Sequence, residues 1–239
     1  MADTLVIVPT YNEAECLPAI VGRLRQEAPD ADILVVDDNS PDGTGDIADR
    51  LAADDSAISV LHRPTKQGLG RAYIAGFHRG LDAGYRYLVE IDADGSHDPA
   101  ELPKMLVEAA GVAEVVIGSR WVTGGAVLNW PWFRRGISRA GNRFARTLLR
   151  SRIRDLTSGY RVYQADALRS LELDRVSSQG YCFQVELAWQ LERAGYRVAE
   201  HPIVFVERTA GRSKMHIGIV AEAFLRVTLW GLRTRLTRS

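Results

Sequence analysis

Short apolar runs rich in Val, Ile and Leu alternate with longer amphipathic stretches through the first half of the chain. The runs occupy residues 5–8, 33–36, 58–61, 87–91 and 115–117. Apolar runs separated by helix-length segments are typical of strands that are buried on both faces of a parallel sheet. The alternation therefore predicts repeated βα units and an α/β fold, with a mainly parallel sheet flanked by helices.

Periodic patterns and capping residues predict where the helices lie. We expect helices near residues 13–28, 44–54, 99–110, 134–150, 181–195 and 216–235, and an extended segment at 198–206. Asn12 is placed to cap the first helix, and Asp98 with Pro99 opens the third. No linker or repeat interrupts the pattern, and 239 residues with 46% hydrophobic content can bury one core, so we expect a single domain over residues 1–239.

A net charge of zero conceals two basic segments on an acidic body. Residues 134–161 carry nine Arg and one acidic residue, residues 208–239 carry seven Lys or Arg and one acidic residue, and the remainder carries 14 basic and 28 acidic residues. Such segments suit nucleic acid, a membrane surface or a phosphorylated lipid, and charge alone does not choose among these. The Arg segments lack interleaved aromatics for stacking on bases, Phe144 apart, so we expect no nucleic-acid partner.

The cysteines and the N-terminus bear on cellular location. Cys16 and Cys182 are isolated, without a CxxC or His-rich partner, so neither a zinc site nor a structural disulfide is expected. The first residues lack the basic start, the long apolar run and the cleavage site of a signal peptide. These features predict a protein of the reducing cytoplasm.

Two carboxylates, Asp92 and Asp94, stand one residue apart where the fourth apolar run ends. Ligands of α/β sheets bind at the carboxyl ends of the strands, and side chains at i and i+2 share a face. Gly95 permits the bend that lets both carboxylates converge on one ion. A hard cation, Mg²⁺ or Mn²⁺, suits these oxygens and would bring a phosphorylated ligand, so the segment predicts a metal–diphosphate site.

Polar residues at two other strand ends have both a functional and an ordinary explanation. Tyr11 and Glu13 follow the first strand and are suited to stack on a base and to hydrogen-bond a ribose or a base edge. Asp37 and Asp38 follow the second strand, where one carboxylate could accept from a base or ribose hydroxyl. A strand-to-helix turn, with Glu13 complementing the helix dipole, explains the same residues.

Two nucleotide motifs are excluded and two basic ones remain. Tyr73 stands where a dinucleotide fingerprint beginning at Gly68 needs its third glycine, and no GxxxxGK[ST] loop occurs, which excludes a NAD-type Rossmann domain and a P-loop NTPase. Arg120 follows the fifth run, and Arg208, Arg212 and Lys214 flank a glycine in a segment suited to close over a diphosphate. A solvated surface loop would have the same composition.

Two helices have amphipathic patterns. In residues 134–150, five Arg recur at helical spacing beside an apolar stripe, and the stripe consists of Phe133, Ile137, Ala140, Phe144 and Leu148. An interfacial or headgroup-binding helix and a core-facing helix with a solvated Arg face both explain this pattern. The last helix is too polar to span a bilayer, and it suits an interfacial anchor or a docking surface.

Six motifs in order resemble one enzyme family. They are VPTYNE at 8–13, VVDDNSPDGT at 35–44, DADGSHDP at 92–99, GSR at 118–120, SGYRV at 158–162 and the R…GRSK run at 208–214. Together they resemble the dolichol- and polyprenol-phosphate mannose synthases, which are inverting glycosyltransferases with the GT-A fold, a Rossmann-like α/β architecture. The resemblance covers nearly the whole chain.

The resemblance implies a role for particular residues. The guanosine contacts it implies are Pro9, Tyr11, Glu13, Val36 and Asp38. The residues that meet ribose, diphosphate and metal are Asp92, Ala93 and Asp94, and those that handle phosphate charge are Arg120, Arg208 and Lys214. Relatives often have Gln where this chain has Ser96, which makes Ser96 a third metal contact, either directly or through water. Asp92, Asp94, Arg120, Arg208 and Lys214 are therefore the expected catalytic residues.

The family transfers mannose from GDP-mannose to a polyprenyl phosphate. A phosphate monoester has a second pKa of about 6, so the acceptor is already ionised at neutral pH and needs no general base. The protein instead has to align two anions and stabilise the leaving GDP, and inversion would give a β-linked product. The implied organisation is a nucleotide-sugar half at 1–120, an acceptor half at 121–214 and an amphipathic helix at 215–239.

The expected location is the cytoplasmic face of a membrane, reached through interfacial helices or an integral membrane partner. Three other activities remain open at this point. They are transfer from UDP-glucose or another nucleotide sugar to the same lipid class, nucleotidyl transfer with release of pyrophosphate, and a catalytically silent nucleotide-binding or membrane-docking subunit.

Overall fold

The computed structural model describes residues 3–176, 178, 181–207 and 224–232, and most of them belong to a sheet with helices on both faces. The strands are β1 (Thr4–Thr10), β2 (Asp32–Asp37), β3 (Ile58–His62), β4 (Tyr87–Glu90), β5 (Val115–Ser119), β6 (Ala126–Leu128), β7 (Arg161–Gln164), β8 (Val198–Pro202) and β9 (Val204–Val206). The helices are α1 (Leu17–Glu27), α2 (Thr44–Asp54), α3 (Leu69–Asp82), α4 (Leu102–Gly111), α5 (Trp132–Leu149), α6 (Ala165–Arg169) and α7 (Tyr181–Arg193). Residues 224–232 form a further helix, α8.

The main sheet has seven strands in the order β3-β2-β1-β4-β7-β5-β8. Every pairing is parallel except those of β7, which lies antiparallel between β4 and β5. The residue pairs Glu90–Arg161 and Ile117–Arg161 fix its register. The start of β7 therefore meets the carboxyl ends of β4 and β5 at one edge of the sheet, beside those of β1 and β2.

Alternate residues of each buried strand pack on opposite faces of the sheet. Leu5 and Ile7 of β1 contact a core lined by α3, α5, α6 and α7, whereas Val6 and Val8 contact a core lined by α1, α2 and α4. This period of two explains why both kinds of position are apolar in the sequence. The expected mainly parallel α/β sheet is confirmed, and the fold is GT-A-like.

Helix α3 lies unusually close to the sheet because two glycines face it. A Cβ at Gly76 would stand 2.6 Å from Ile7 Cγ2, and a Cβ at Gly80 would stand 2.5 Å from Leu88 Cδ2. The close helix–strand approach that a third glycine provides in dinucleotide-binding folds is thus supplied later in the helix. Tyr73 instead packs in the core, with its ring stacked against Phe183.

The first helix begins later than the sequence predicts. Asn12 does not cap it; Asn12 has a positive φ of 56°, and α1 starts at Leu17. Loop residues 12–14 instead donate main-chain hydrogen bonds to side chains of the loop that follows β2. The partners lie 28–31 residues away, so local sequence does not indicate them.

The other predicted helices and strands lie close to their expected positions where the structure describes them, whereas α3, α6, β6 and β7 were not predicted. Helix α2 has the expected bounds of 44–54, and the extended segment at 198–206 consists of β8 and β9. Asp98 accepts a hydrogen bond from the Ala100 main chain and opens a short turn that leads into α4. No helix in the described parts of the chain combines the length and the apolar character needed to cross a membrane.

Candidate active site

The loops after β1 and β2 are joined at the carboxyl edge of the sheet. Four hydrogen bonds of 2.9–3.2 Å link Thr10 to Asp37, Asn12 to Ser40, Glu13 to Thr44 and Ala14 to Asp42. Asp37 also accepts from the main chain and the hydroxyl of Ser40, and it is buried. Asp37 is therefore an anchor that holds these two loops together.

Asp38 anchors a third loop. Its buried carboxylate pairs with Arg63 and accepts 3.2 Å hydrogen bonds from the main-chain N–H groups of Gln67 and Gly68. Three protein donors use most of the lone pairs of a carboxylate. The contacts fold residues 63–68 over the end of β1.

That loop carries Lys66 to Tyr11. The Lys66 ammonium lies 3.7 Å from the centre of the Tyr11 ring, at cation–π distance. Pro9 and Val36 are register partners on β1 and β2, directly beneath these loops. Since the Val36 side chain is fully buried in the core, a nucleoside contact by Val36 would have to come from its main chain.

Asp92 and Asp94 follow β4 at the same edge, as predicted. Gly95 has a φ of +73°, a left-handed conformation that turns the chain, and the Ser96 N–H donates to Asp94 Oδ1 over 3.0 Å. Both carboxylates are partly exposed, while Ala93 and Ser96 are buried. The turn thus presents two carboxylates at the edge, as the sequence predicts.

Three residues surround Asp92. The Tyr73 hydroxyl lies 3.4 Å from Asp92 Oδ1, and His97 Nε2 lies 3.7 Å from Asp92 Oδ2. Burial and, next, the charge of Asp92 raise the pKa of Tyr73, so its hydroxyl remains a proton donor. On the open side, a Cβ at Gly159 would stand 3.3 Å from Oδ2. Glycine therefore leaves space beside the carboxylate that any other residue would fill.

The residues at this turn fit a divalent cation that arrives with a diphosphate. Asp92 and Asp94 offer hard oxygen ligands, and glycine at position 159 keeps the space beside Asp92 Oδ2 free of a side chain. Within the described ranges, no group of three or more His, Cys, Asp and Glu side chains is placed to hold a metal alone. Mg²⁺ is commonly held by one or two carboxylates together with substrate phosphates, and this arrangement fits two carboxylates.

Arg120, which follows β5, forms a buried ion pair. Its Nε and Nη2 donate to the two oxygens of Asp155 over 2.8 and 2.7 Å, and Nη2 also donates to Thr157 over 2.9 Å. Burial alone would raise the pKa of Asp155, but the charge and hydrogen bonds of Arg120 hold it below its usual value. The charge of Arg120 is therefore balanced by the buried carboxylate of Asp155.

Aromatic rings and two further arginines surround this pair. The guanidinium of Arg120 lies 5.5–5.8 Å from the ring centres of Trp121, Trp130 and Phe205. Arg134 lies 4.3 Å above Trp130, and Arg139 lies 4.7 Å above Trp121. Arg134 also forms an ion pair with Glu207, so of these two arginines Arg139 adds positive charge to the side of the site opposite the β1 and β2 loops.

The two halves of α5 differ in their exposure. Its first half is exposed, with 84% of Trp132 and 61% of Ile137 accessible to solvent, and Phe133 is exposed too. Its second half packs, because Phe144 contacts Phe224 of α8 at 4.8 Å between ring centres. A core-facing helix therefore accounts for the second half only.

The structure brings most of the expected site residues to one edge of the sheet. The described residues there include Pro9, Tyr11, Glu13, Val36, Asp38, Asp92, Ala93, Asp94, Ser96 and Arg120. Arg208 and Lys214 lie outside the described residues, as does much of the expected helix at 216–235. Their roles stay predictions.

Sequence reasoning missed four side chains of this edge. Lys66 lies on Tyr11, Tyr73 and His97 flank Asp92, and Asp155 pairs with Arg120. A signal existed for His97 and Asp155, because each stands in or next to a motif that carries the family resemblance. Nothing local marks Lys66 or Tyr73.

The sequence matches a family model and two curated proteins. The model for glycosyl transferase family 2 matches residues 5–171. An undecaprenyl-phosphate mannosyltransferase from Micrococcus luteus is 56% identical over 231 residues, which cover 97% of this chain and 95% of that protein. A polyprenol monophosphomannose synthase from Mycolicibacterium smegmatis is 52% identical over 237 residues, which cover 99% and 89%.

Solved structures share the fold at low sequence identity. A glucosyl-3-phosphoglycerate synthase from Mycobacterium tuberculosis, in complex with phosphoglyceric acid, has a TM-score of 0.67 and 18% identity, with 95% of this chain and 79% of that chain covered. A mannosyltransferase from Pyrobaculum calidifontis, in complex with GDP-Man and Mn²⁺, has a TM-score of 0.60 and 18% identity, with 88% and 58% covered. These similarities show the fold alone.

The family match covers most of the chain, and two relatives above 50% identity cover nearly all of it. The edge of the sheet presents Asp92, Asp94 and Arg120, which the sequence motifs place there. The protein is a glycosyltransferase: it belongs to glycosyl transferase family 2 and groups there with the polyprenol-phosphate mannose synthases.

Proposed function

We propose that the protein transfers mannose from GDP-mannose to a polyprenyl phosphate, with inversion at the anomeric carbon and with Mg²⁺ or Mn²⁺. The observation that carries the proposal is the match over nearly the whole chain to an undecaprenyl-phosphate mannosyltransferase and a polyprenol monophosphomannose synthase. The Pyrobaculum calidifontis mannosyltransferase, which has a related fold, was solved with GDP-Man and Mn²⁺. That structure supports the choice of donor and metal.

The loops after β1 and β2 form the proposed guanosine site. Tyr11 offers a ring for stacking, and Glu13 offers a carboxylate at the edge of the base or ribose. Asp38 contributes by holding the loop that brings Lys66 to Tyr11. Pro9 and Val36 shape the floor of the site as neighbours in the sheet.

The turn after β4 forms the proposed diphosphate site. Asp92 and Asp94, with Ala93 between them and Ser96 behind them, would hold the divalent cation and the donor diphosphate. A bound cation stabilises the negative charge that develops on the leaving GDP. Tyr73 donates toward Asp92 and limits the orientations of its carboxylate. Two protein carboxylates leave coordination positions for the phosphate oxygens.

The acceptor needs alignment and not deprotonation. A polyprenyl phosphate is a dianionic nucleophile at neutral pH, with a second pKa of about 6, so no general base is required. Arg120, Arg208 and Lys214 are the proposed cations for the phosphate charge. Arg120 would act beside Asp155, which fixes its guanidinium in one orientation and so favours a preorganised contact.

The first half of α5 is the proposed membrane-facing element. Exposed Trp132, Phe133 and Ile137 lie on a helix that also exposes Arg135 and Arg139. Helix α8 exposes Leu225, Leu229 and Leu232. Large apolar side chains beside Arg residues are typical of helices that lie in a bilayer interface and attract anionic lipids. We infer attachment at the cytoplasmic face of a membrane, alone or with an integral membrane partner.

Arginine removal tests the membrane-facing element. The double variant R135A/R139A is expected to raise the KM for polyprenyl phosphate in anionic vesicles, because each Arg near such a surface contributes about 1 kcal/mol. The affinity for GDP-mannose should stay unchanged. Equal losses for donor and acceptor would contradict the assignment and indicate a structural helix.

A donor panel tests the proposed function. Purified protein, polyprenyl phosphate, detergent and Mn²⁺ are incubated with GDP-mannose, UDP-glucose or no donor, and the lipid product is characterised by NMR. We expect a β-linked mannosyl lipid from GDP-mannose only. A glucosyl lipid would establish the alternative donor, and an α-linked mannosyl lipid would contradict inversion.

A further inference from the structure

His97 is a buried histidine beside the proposed diphosphate site that no motif assignment uses. Only 1% of the residue is accessible to solvent. Its Nε2 lies 3.7 Å from Asp92 Oδ2, within ion-pair range and slightly beyond a hydrogen bond. The ring therefore stands directly behind one of the two carboxylates that face the donor.

The two oxygens of Asp92 face different hydrogen-bond donors of the protein. Tyr73 approaches Oδ1 at 3.4 Å, and His97 approaches Oδ2. Both contacts are long, so a small rotation of the carboxylate would shorten one of them. Tyr73 and His97 thus approach opposite oxygens of Asp92, and outer-sphere partners of this kind orient metal ligands in proteins.

The other side of the His97 ring packs against β9, which pairs with β6 in a separate two-stranded sheet, and against the residue that precedes β7. Its centre lies 5.2 Å from the ring of Phe205 on β9 and 5.3 Å from the ring of Tyr160. The adjacent Ser96 carbonyl accepts a 3.1 Å hydrogen bond from the Val206 N–H. The ring is therefore fixed by packing, and its position relative to Asp92 is set by β9 as well as by the turn after β4.

The second ring nitrogen indicates the tautomer. His97 Nδ1 is buried and has no hydrogen-bond partner among the described residues. A buried N–H without an acceptor is costly, whereas Nε2 faces a carboxylate that can accept. The arrangement favours a ring that carries its proton on Nε2 and directs it at Asp92.

We propose that His97 is a positioning residue that donates from Nε2 to Asp92 and fixes this carboxylate for the metal–diphosphate of the donor. The inference rests on the proposed function, because it assumes that Asp92 meets a metal-bound diphosphate. His97 does not touch the substrate and acts through Asp92. Its fixed ring also links the turn after β4 to β9, on the acceptor side of the site.

Two substitutions separate the role of the Nε2 hydrogen-bond donor from that of the aromatic ring. His97→Phe keeps the aromatic packing against Phe205 and Tyr160 and removes the Nε2 donor. His97→Gln loses the ring and places an amide N–H near the position of Nε2. If the Nε2 hydrogen bond orients Asp92, H97Q should preserve that orientation better than H97F. If ring packing alone orients Asp92, H97F should preserve it better.

The readout is binding of GDP, measured by calorimetry with Mn²⁺ and again with EDTA. We expect H97F to weaken Mn²⁺-supported GDP binding by about tenfold, the size found for outer-sphere partners of metal ligands. H97Q should lie closer to the wild type than to H97F, and GDP binding in EDTA should be the same in all three proteins. An H97F affinity equal to or tighter than that of H97Q overturns the inference.

A matched control and a second pair guard against effects on folding. His201 is also a buried histidine, with ring nitrogens 2.7 and 3.1 Å from Glu108 and Glu101, so H201F should lower the melting temperature without weakening Mn²⁺–GDP binding. An equal loss in H201F overturns the inference. If H97F does not fold, H97Q is compared with H97N, whose shorter amide cannot reach Asp92, and equal affinities again overturn it.

The same experiment distinguishes this inference from the proposed function. Wild-type protein that binds GDP with Mn²⁺, together with variants in the wrong order, removes only the role of His97. Wild-type protein that binds no GDP under either condition contradicts the proposed function and the inference with it.

Discussion

Two pairs of acidic residues at the same edge of the sheet have different surroundings. Asp37 and Asp38, at the end of β2, are buried and accept hydrogen bonds from Thr10, Ser40, Arg63 and neighbouring main-chain groups. Asp92 and Asp94, after β4, are partly exposed, and the contacts to Asp92 are long. A strand-end position thus brings carboxylates to a site, but burial and protein donors decide whether they anchor loops or remain available for a ligand.

The largest expected effect is on stability, at the β2 pair. Asp38→Ala would leave the buried Arg63 guanidinium without its counter-charge, with only the hydrogen bond to Gln67 remaining, which costs about 3–5 kcal/mol of unfolding free energy. Urea denaturation followed by circular dichroism measures it. A loss below about 1 kcal/mol would show that Asp38 is not an anchor and would remove the contrast between the two pairs.

The next effect is on catalysis, at the β4 pair. Asp94→Ala should lower metal-dependent transfer by about 100-fold or more, because it removes a ligand of the cation that stabilises the leaving group. Its unfolding free energy should change by only about 0.5 kcal/mol, as for other exposed positions. Near-normal turnover with saturating metal would contradict the assignment.

Glu90 extends the comparison along β4, because it precedes Asp92 by two residues and is fully buried. Burial raises its pKa to about 8 from an ordinary value of 4.5, despite the nearby Arg161 charge. A raised folded-state pKa gives stability that is complete below the unfolded pKa and is lost as pH rises to the folded pKa. Wild-type protein should therefore lose stability relative to E90Q between pH 4.5 and about 8.

That pH-dependent difference is at most about 5 kcal/mol, since the pKa rises from 4.5 to about 8 and one unit of pKa shift corresponds to about 1.4 kcal/mol. Urea denaturation of both proteins across this pH range measures it. A difference between wild type and E90Q that does not change with pH would mean that burial does not raise the pKa of Glu90.

The smallest effect concerns Lys66, which the anchored loop brings to Tyr11. Lys66→Ala should weaken GDP binding about threefold, because an exposed cation–π contact contributes about 0.5–1 kcal/mol and holds the Tyr11 ring of the proposed guanosine site in place. Lys104→Ala is the control, since Lys104 is exposed and pairs with Glu101. Calorimetry measures both effects. Equal effects of the two variants would contradict the placement of Tyr11 in the guanosine site.

Sequence patterns predicted the strands that are buried as continuous apolar runs. The strands β1 to β5 correspond to apolar runs, and α2 begins and ends where expected. Strand β7 was not predicted, because Arg161 and Gln164 read as polar. Arg161 is nevertheless fully buried, since its guanidinium donates to the carbonyl oxygens of Leu156, Ser158 and Gln184. Main-chain acceptors from two segments of the chain satisfy its charge, and no local pattern indicates them.

The sequence predicted which strand ends carry the site residues, but not which side chains those residues contact. Asp92, Asp94 and Arg120 could be located because each follows an apolar run. The pairing of Arg120 with Asp155 spans 35 residues, and the bond between Thr10 and Asp37 spans 27. Such contacts depend on which strands become neighbours, and the antiparallel insertion of β7 makes that order hard to infer. The roles of Arg208 and Lys214 stay predictions.

The most direct test of the account is transfer of labelled mannose from GDP-mannose into an organic-extractable lipid. The reaction contains purified protein, polyprenyl phosphate, detergent and Mn²⁺, with parallel reactions that contain EDTA or the D94A variant. The account predicts labelled lipid with wild-type protein and metal, and almost none in the other two reactions. Labelling that persists in EDTA or in D94A would contradict catalysis by a metal at Asp92 and Asp94, and no labelling in any reaction would contradict the donor–acceptor pair.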